Sequence, residues 1–377
     1  MSKNKAIVIG AGIVGLATAR ALSLKGFEVT IIEKSEKAVG ASIRNFGMIW
    51  PIGQPTGELY NRAMRSKNIW KELADQSGLW YHESGSLHAA YFKDEWQVLQ
   101  ELYEIFKKEG RPVELLDKAA VIRRFESVNS MNLMGGLYSS TEMIVDPRVA
   151  INSVSNYLSA YLNVQFIFGK AVTKIETHSV WVDNKLYEAD LIFVCSGADF
   201  ETLYPAVFES FNITKCKLQM MRFVSKTPDF KLGVSLCGGL SLIHYSSFKA
   251  AASINHLKER YETEMPAYIK HGIHVMVAQN NYGELTVGDS HEYGLTHDPF
   301  DSAAINQLIV DYLQQFTKSC SGELIQTWNG IYPKMTNGAN HILHKVTDGV
   351  YILNGLGGAG MTLSFGLAEE IVGDILA

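Results

Sequence analysis

Three glycines near the start of the chain are spaced to hold a dinucleotide. Gly10, Gly12 and Gly15 form a GxGxxG pattern. Gly10 permits a tight turn, Gly12 lets a pyrophosphate approach the backbone, and Gly15 lets a helix pack closely on a strand. Glu33 follows 18 residues after Gly15, where a carboxylate accepts hydrogen bonds from adenosine ribose hydroxyls and repels a 2′-phosphate. The pattern predicts dinucleotide binding and argues against NADP; a glycine-rich turn without a ligand is the alternative.

A second glycine-rich stretch, NGLGGAGMT, lies near the end of the chain. The sequence there predicts a strand at Tyr351–Leu353, a loop at Gly355–Gly360 and a helix at Leu363–Leu376. Thr362 or Ser364 is the expected N-cap of that helix. If the ligand is FAD, the N-terminus of this helix would face the edge of the flavin ring that becomes negative on reduction. A second cradle so far from the first favours FAD over NAD, although a turn that only caps the helix remains the alternative.

The elements that position the first cradle form a βαβ unit. The sequence predicts strands at Ala6–Ile9 and Val29–Ile32, with a helix at Ile13–Leu24 between them. A later apolar strand breaks at Ser196–Gly197, which predicts another close approach of backbone to ligand. Val172 is placed to present a backbone edge to adenine.

Composition excludes several classes of protein. The 377 residues are enough for two domains, and the net charge of −5 comes without a basic block, so nucleic acid is not an expected partner. The four cysteines, Cys195, Cys216, Cys237 and Cys320, show no zinc or disulfide spacing. The first strand leaves no room for a signal peptide, and no apolar run reaches the length of a membrane span. We expect a cytoplasmic protein without a metal site.

Eight motifs occur in order along nearly the whole chain: IVIGAGIVGLATARAL, VTIIEK, VGASIRNFGMI, IVDPRVAI, IFVCSGADF, LTVGDSHEYG, WNGIYP and LGGAGMTLSFGLAEEI. Together they resemble the D-amino-acid oxidase superfamily, the FAD enzymes that include glycine oxidase and sarcosine oxidase. Four stretches, three of which overlap these motifs, are SIRNFGMIWPIGQPTGEL, GIHVMVAQN, GDSHEYG and GGAGMTLSFGLAEE. These resemble a narrower bacterial group that is associated with aminophosphonate breakdown.

The resemblance implies an α/β (α+β) fold with two domains. A Rossmann-like FAD-binding domain of the glutathione-reductase type is expected at 1–79, 146–214 and 326–377. A substrate domain with a mixed sheet is expected at 80–145 and 215–325. The residues expected to hold FAD are Gly10, Ala11, Gly12, Ile13, Val14, Gly15, Glu33, Lys34, Ala41, Ser42, Val172, Ser196, Gly197, Gly330, Gly357, Gly358, Ala359, Gly360, Met361 and Thr362.

The segment WNGIYP departs from the family pattern. Glycine-oxidase-like members carry an arginine there that grips the substrate α-carboxylate with two hydrogen bonds. The matching residue in this chain is Tyr332, whose phenol carries no charge near neutral pH. Either the anion is held elsewhere or the substrate is not an α-amino carboxylate. An aminoalkylphosphonate satisfies the second option, since its acid is tetrahedral and lies on a different carbon.

Several side chains are candidates to bind the substrate anion, and each has a purely structural alternative. Arg44 is the first candidate, with a structural ion pair as the alternative. The histidines among them also fit core packing, turn capping or an exposed position. The other candidates are His244, Tyr245, Lys249, His271, His274 and His291. With Tyr332, the expected catalytic group is Arg44, His244, Tyr245, Lys249 and His291.

The function implied by the resemblance is oxidation of the C–N bond of a small primary or N-methyl amine, by hydride transfer to flavin N5 and hydrolysis of the imine. The expected substrate is anionic, and the electron acceptor is either oxygen or another molecule. FAD is expected to be non-covalent, because no cysteine lies between Ile331 and Val350, where some sarcosine oxidases attach it. Three alternative hypotheses remain. The protein could be an amino-acid or sarcosine-like enzyme that binds the carboxylate with Arg44, an FAD-carrying protein without turnover, or an enzyme that uses a pyridine nucleotide.

Overall fold

The computed structural model describes residues 4–318 and 322–377. Cys320 lies outside these residues, so its predicted state is not addressed by the structure. The helices of the described chain are α1 Ile13–Leu24, α2 Glu58–Ser77, α3 Lys93–Lys108, α4 Lys118–Arg124, α5 Pro147–Leu162, α6 Pro205–Glu209, α7 Ile254–Glu264, α8 Pro266–Lys270, α9 Ala303–Phe316 and α10 Gly360–Leu376.

The strands alternate with these helices in the first part of the chain and dominate its middle. They are β1 Lys5–Ile9, β2 Glu28–Glu33, β3 Met48–Ile49, β4 Tyr81–His82, β5 Ser86–Ala90, β6 Val113–Asp117, β7 Gly135–Ser139, β8 Met143–Val145, β9 Gln165–Phe168, β10 Val172–Glu176, β11 Ser179–Val182, β12 Lys185–Glu188, β13 Leu191–Val194, β14 Ile213–Val224, β15 Ser235–Cys237, β16 Met276–Gln279, β17 Glu284–Gly288, β18 Glu292–Gly294, β19 Glu323–Met335, β20 Ile342–Thr347 and β21 Val350–Asn354.

A six-stranded sheet contains both the first and the last strand of the described chain, in the order β20-β21-β13-β1-β2-β9. The strands from β21 to β9 are parallel, and β20 is antiparallel to β21. Their inner strands are almost continuously apolar and buried, as in β1 with Ala6 to Ile9, because helices cover the faces of a parallel sheet. The predicted βαβ unit is confirmed, with α1 at the predicted residues.

The C-terminal helix begins earlier than the sequence predicted. Helix α10 starts at Gly360, with Ala359 as its N-cap residue, so Thr362 and Ser364 lie inside its first turns. Neither hydroxyl caps the helix. The hydroxyl of Thr362 accepts the N–H of Trp50 at 2.9 Å, and Ser364 donates to the carbonyl of Gly360 at 2.6 Å. The predicted N-cap was therefore wrong, because tertiary contact and back-bonding within the helix take up these hydroxyls.

A nine-stranded mixed sheet forms the second large layer of the described chain. Its main order is β18-β14-β17-β16-β15-β5-β7-β6, and β19 pairs with β14. The β14–β19 ladder is antiparallel and runs from Ile213 opposite Met335 to Val224 opposite Glu323. Strand β19 belongs to this sheet, although from residue 326 onward it falls in the third segment of the predicted FAD domain. The domain boundaries remain a prediction. The mixed α/β fold class is confirmed.

No helix in the part of the chain that the structure describes is long and apolar enough to cross a membrane.

Candidate functional site

The first glycine turn is built so closely that side chains do not fit. Gly10 follows β1 with a φ of +104°, and a Cβ added to it would lie 2.5 Å from the carbonyl oxygen of Cys195. A Cβ added to Gly15 would overlap the carbonyl oxygen of Gly10. The two glycines therefore let β1, β13 and α1 approach one another. A tight glycine turn that leads directly into a helix N-terminus is the arrangement that a phosphate cradle requires.

Polar groups from two other segments brace this turn. Glu33, at the end of β2, accepts the N–H groups of Ala11 and Ser35, both at 2.9 Å. The hydroxyl of Ser42 accepts the N–H of Ile13 at 2.9 Å, at the start of α1. A carboxylate has about four lone-pair positions, so Glu33 retains acceptor capacity for ribose hydroxyls. The structure thus brings together the predicted glycine turn, acid and serine.

The second turn contains a residue that sequence reasoning missed. Asn354, at the end of β21, is buried and donates to the carbonyl of Gly197 at 2.9 Å. Its side-chain oxygen accepts the N–H of Gly355 at 2.8 Å. Gly197 has a φ of +60°, which favours glycine. Asn354 therefore ties the Ser196–Gly197 turn to the C-terminal glycine loop. The only sequence signal was its position directly before that loop.

Several of the residues predicted to bind the cofactor also make contacts within the protein. Val172 is buried in the apolar cluster next to β1 and β13. Lys34 forms an ion pair with Asp199, just after the Ser196–Gly197 turn. The carbonyl of Met361 accepts the indole N–H of Trp70 at 2.8 Å.

The two glycine loops meet in space. Gly360 lies against α1, since a Cβ added to it would be 3.5 Å from Cγ2 of Ile13. Gly357 has a φ of +60°, and Gly358 faces the hydroxyl of Tyr332, with an added Cβ 3.7 Å from that oxygen. A cofactor with a pyrophosphate at one helix N-terminus and a ring system at another fits this arrangement. The residues present therefore fit FAD.

The prediction that FAD is held without a covalent bond has a direct test. Protein denatured with acid or heat is expected to release all of its FAD into the supernatant, because no cysteine lies between Ile331 and Val350. The three cysteines that the structure describes, Cys195, Cys216 and Cys237, are buried. The absorbance near 450 nm in the supernatant and in the washed precipitate measures the outcome. Flavin that stays with the precipitated polypeptide would contradict the prediction.

Arg44 does not join the other predicted substrate-binding residues. Its guanidinium donates to the carbonyl of Asn329 at 3.2 Å and lines a cavity of about 900 Å³. Arg148 and Trp328 line the same cavity. Gly330, predicted to contact the cofactor, lies in β19, where an added Cβ would be 3.2 Å from the carbonyl oxygen of Arg44. This close packing accounts for the glycine at position 330.

Three histidines from separate segments converge in the nine-stranded sheet layer. His274 precedes β16, and Asp289 follows β17, where their backbones exchange two hydrogen bonds of 3.2 and 3.0 Å. His291 lies two residues after Asp289, and His244 directly follows a short 3-10 turn at Gly239–Ile243. The ring centroids of His244 lie 3.7 Å from His274 and 4.7 Å from His291. The antiparallel β16–β17 pairing thus places two of the histidines, and the Gly239–Ile243 turn supplies the third.

The histidine cluster is buried beside a carboxyl group. Burial lowers the pKa of His274 well below its ordinary value and lowers the pKa of His291 to about 4. Nε2 of His274 lies 3.1 Å from Oδ1 of Asp289, whose pKa is raised by burial. Nδ1 of His291 lies 2.9 Å from the carbonyl of Gly272, which fixes that ring. These imidazoles are neutral near pH 7 in the protein without a ligand.

A row of side chains across three strands connects the histidines to the C-terminal glycine loop. Cys216 in β14 pairs with Tyr332 in β19 on one side and with Tyr293 in β18 on the other. Lys334 donates from Nζ to the hydroxyl of Tyr293 at 2.9 Å. A Cβ added to Gly357 would lie 3.8 Å from Cγ of Lys334. Lys334 is a functional candidate that the sequence analysis missed, although its position two residues after Tyr332 places it on the same strand face.

The remaining predicted residues lie at the rim of the cluster or outside it. The hydroxyl of Tyr245 contacts the sulfur of Met276 at 3.1 Å, and its ring lies 5.8 Å from that of His274. Lys249 is exposed but close enough for its charge to lower the pKa of His244, after the larger effect of burial. His271 contributes its backbone carbonyl, which accepts the N–H of His291 at 2.8 Å.

Comparison with known proteins identifies relatives of the whole fold. The family described as DAO, FAD dependent oxidoreductase, matches residues 5–373. Glycine oxidase from Geobacillus kaustophilus superposes with a TM-score of 0.78 at 18% identity, covering 99% of this chain and 95% of that one. Iminodiacetate oxidase from Chelativorans sp. BNC1 gives 0.76 at 19% identity, covering 98% and 95%. These structural similarities show a shared fold.

A relative by sequence matches over a shorter stretch. Glycerol 3-phosphate dehydrogenase from Caloramator mitchellensis is 26% identical over 199 residues, which are 50% of this chain and 41% of that protein. The matched part of this chain therefore spans less than half of the relative's length.

Proposed function

Because the chain belongs to the DAO family of FAD-dependent oxidoreductases, we propose that it oxidises the C–N bond of a small amine that carries a phosphonate group. The substrate would be a primary or N-methyl amine such as a 2-aminoethylphosphonate derivative. Bound FAD supplies the hydride acceptor for this reaction. The glycine turns and the N-termini of α1 and α10 would hold it. The observation that carries the choice of substrate is the buried, uncharged Tyr332.

The side chain of Tyr332, which faces the C-terminal glycine loop, is uncharged. Its side chain is only 7% exposed, and burial raises its pKa well above the ordinary value, with a further contribution from Cys216. An α-carboxylate in this position would lose water and gain at most one neutral hydrogen bond from the phenol. In the resembling enzymes an arginine provides a two-pronged ion pair there. An amine whose acid group lies farther from the reacting carbon avoids this loss.

Two further points support a tetrahedral acid on the substrate. The segments GDSHEYG and GIHVMVAQN resemble the group associated with aminophosphonates, and they contain Asp289, His291 and His274. A relative of this chain is named for glycerol 3-phosphate, in which a tetrahedral oxyanion is separated from the reacting carbon. The fold of the family is therefore compatible with such an arrangement.

The chain's own contribution is positioning and exclusion of water. Tyr332, His274 and His291 are buried, and His244 and Tyr245 are half-buried. A buried site disfavours the charged ammonium over the neutral amine. The neutral nitrogen can assist departure of hydride from its carbon, which gives an iminium. Water then hydrolyses the iminium to an aldehyde and ammonia, or methylamine from an N-methyl substrate. The site residues would orient the amine for these steps, and none of the steps requires a catalytic triad.

Anaerobic bleaching of bound FAD tests the proposal. 2-Aminoethylphosphonate, its N-methyl form and its 1-hydroxy form would be compared with glycine, sarcosine, D-alanine and glycerol 3-phosphate. We expect at least one aminophosphonate to bleach the absorbance near 450 nm faster than every other compound. Fast bleaching by the α-amino acids alone would contradict the proposal and favour an amino-acid oxidase or dehydrogenase. No bleaching by any compound would favour an FAD-carrying protein without turnover.

The same sample identifies the electron acceptor. Air admitted after bleaching would restore the absorbance within seconds if oxygen is the acceptor. Slow recovery in air, with fast recovery on adding an artificial electron acceptor, would indicate a dehydrogenase.

A further inference from the structure

The histidine cluster contains a buried nitrogen that lacks a partner. Potential ligand atoms of His244, His274 and His291 all lie within 4.8 Å of one another. His274 and His291 are 3% and 6% exposed. In the described chain, Nδ1 of His274 has no hydrogen-bond partner. Because leaving a buried polar atom unpaired is destabilising, the cluster is better suited to hold a ligand than to serve as core.

The charges around the cluster are mostly of one sign. Lys334 lies beside the cluster, because its Nζ donates to the hydroxyl of Tyr293 at 2.9 Å and the ring of Tyr293 lies 6.3 Å from that of His291. Burial is the main reason that the pKa of each imidazole is lowered, and the ammonium of Lys334 lowers all three further. Lys249 acts on His244 in the same direction. A negative ligand would remove this repulsion and favour protonated imidazoles.

A divalent metal is the other ligand that three imidazoles accommodate. A metal ion would be repelled by Lys334, whereas an oxyanion is attracted to it. Asp289 does not reverse this balance, because burial raises the pKa of its carboxyl well above the ordinary value and so favours the uncharged acid. The charge distribution therefore favours an oxyanion.

We propose that His244, His274, His291 and Lys334 form the binding site for the phosphonate group of the substrate. Lys334 supplies the charge, and the imidazoles supply N–H donors to the tetrahedral oxygens. This inference rests on the proposed function and names the residues that hold its anion. It replaces the single arginine of the resembling enzymes with a distributed set of donors, which suits three phosphonate oxygens better than a planar fork that matches a carboxylate.

Ethylphosphonate and inorganic phosphate are the probes for this site, because neither contains an amine that can be oxidised. Their binding to the FAD-loaded protein is measured by isothermal titration calorimetry and by the shift of the flavin spectrum. We expect Lys334→Met to weaken ethylphosphonate binding about tenfold or more, since a charge-assisted contact is lost. His291→Gln is expected to weaken it about fivefold. Lys334→Arg is expected to retain most of the affinity.

Lys345→Met is the matched control. Lys345 is an exposed lysine in β20 that pairs with Asp348 outside the cluster, and its replacement is expected to change the affinity less than twofold. FAD content and thermal unfolding show whether each variant is folded. If Lys334→Met loses FAD, the inference is tested by the affinity for ethylphosphonate of the two other variants. His291→Gln should bind it about fivefold more weakly than the wild type, and Lys334→Arg should retain most of the affinity.

Two results would overturn the inference. One is wild-type affinity for ethylphosphonate in both Lys334→Met and His291→Gln. The other is stoichiometric binding of Zn²⁺ that depends on the three histidines, with no phosphonate binding in the absence of metal. Failure of the proposed function alone has a different signature: ethylphosphonate binds in a histidine-dependent and lysine-dependent manner, but no aminophosphonate bleaches the flavin.

Discussion

Gly15→Ala is expected to weaken FAD binding about a hundredfold, corresponding to about 3 kcal/mol, because overpacking of this size forces the backbone apart. The added Cβ would overlap the carbonyl oxygen of Gly10 and lie 3.3 Å from Cγ1 of Val8. The helix α1 would have to move away from β1, which widens the turn that receives the pyrophosphate. Backbone atoms on a buried strand give way much less readily than a flexible side chain.

Helix propensity alone predicts the opposite effect. Alanine is better than glycine in a helix by about 1 kcal/mol, so an open glycine position should tolerate or gain from the same change. Gly373 in α10 is such a position, since a Cβ added there meets no atom within 4 Å among the described residues. Gly373→Ala is therefore the matched control, with unchanged FAD affinity and equal or slightly higher stability.

The measurement is the FAD dissociation constant of reconstituted apoprotein, together with the ratio of absorbance at 450 and 280 nm after purification. Thermal unfolding of both apo variants separates loss of cofactor from loss of fold. Wild-type FAD affinity in the Gly15 variant would show that the GxGxxG turn does not receive the pyrophosphate.

Tyr332→Arg is expected to shift substrate preference toward α-amino acids. A guanidinium at this position on β19 would face Gly358, as the phenol does now, and could form a two-pronged pair with a carboxylate. A charge-assisted pair of this kind contributes about 1.5–3 kcal/mol, so bleaching by glycine, sarcosine or D-alanine should rise roughly ten- to a hundredfold. Bleaching by aminophosphonates should fall, because the larger cation occupies their pocket.

The arginine variant also carries a cost in stability. An unpaired guanidinium at this buried position is destabilising, so its thermal unfolding temperature should drop and should partly recover when an α-amino acid is added. Tyr332→Phe is the control, since it keeps the ring and removes only the hydroxyl; amino-acid bleaching should stay at the wild-type level. Equal bleaching by amino acids in the wild type and the arginine variant would contradict the proposed role of this position.

The first cradle was predictable because its parts are close along the chain. The strand β1, the glycine turn and α1 follow one another within residues 5–24, and each depends on local backbone requirements. The bracing by Ser42 and Asn354 was harder to predict in detail. A hydroxyl or an amide can bind many backbone groups, and only the packing of α1, β13 and β21 brings the observed partners within 3 Å of each other.

Sequence reasoning placed Arg44 first among the anion-binding candidates, whereas the site that we propose consists of other residues. Arg44 came first because it follows the predicted flavin contact Ser42, yet its guanidinium lies against Asn329. Lys334 was missed because a lysine next to a proline has no distinguishing local signal. Adjacent residues in an extended segment point to opposite sides, so a short distance along the chain does not imply a shared pocket.

The amino-acid sequence by itself determined the dinucleotide-binding unit, the second glycine loop and the family resemblance, because those features depend on contiguous residues and on glycine positions with few alternatives. Only the tertiary structure decided which distant side chains meet. His244, His274, His291 and Lys334 come from four segments, and their convergence depends on strand register and on burial of both sheet layers. Strand register and burial each result from many contacts between residues far apart in the chain. They therefore cannot be read from any short stretch of the sequence.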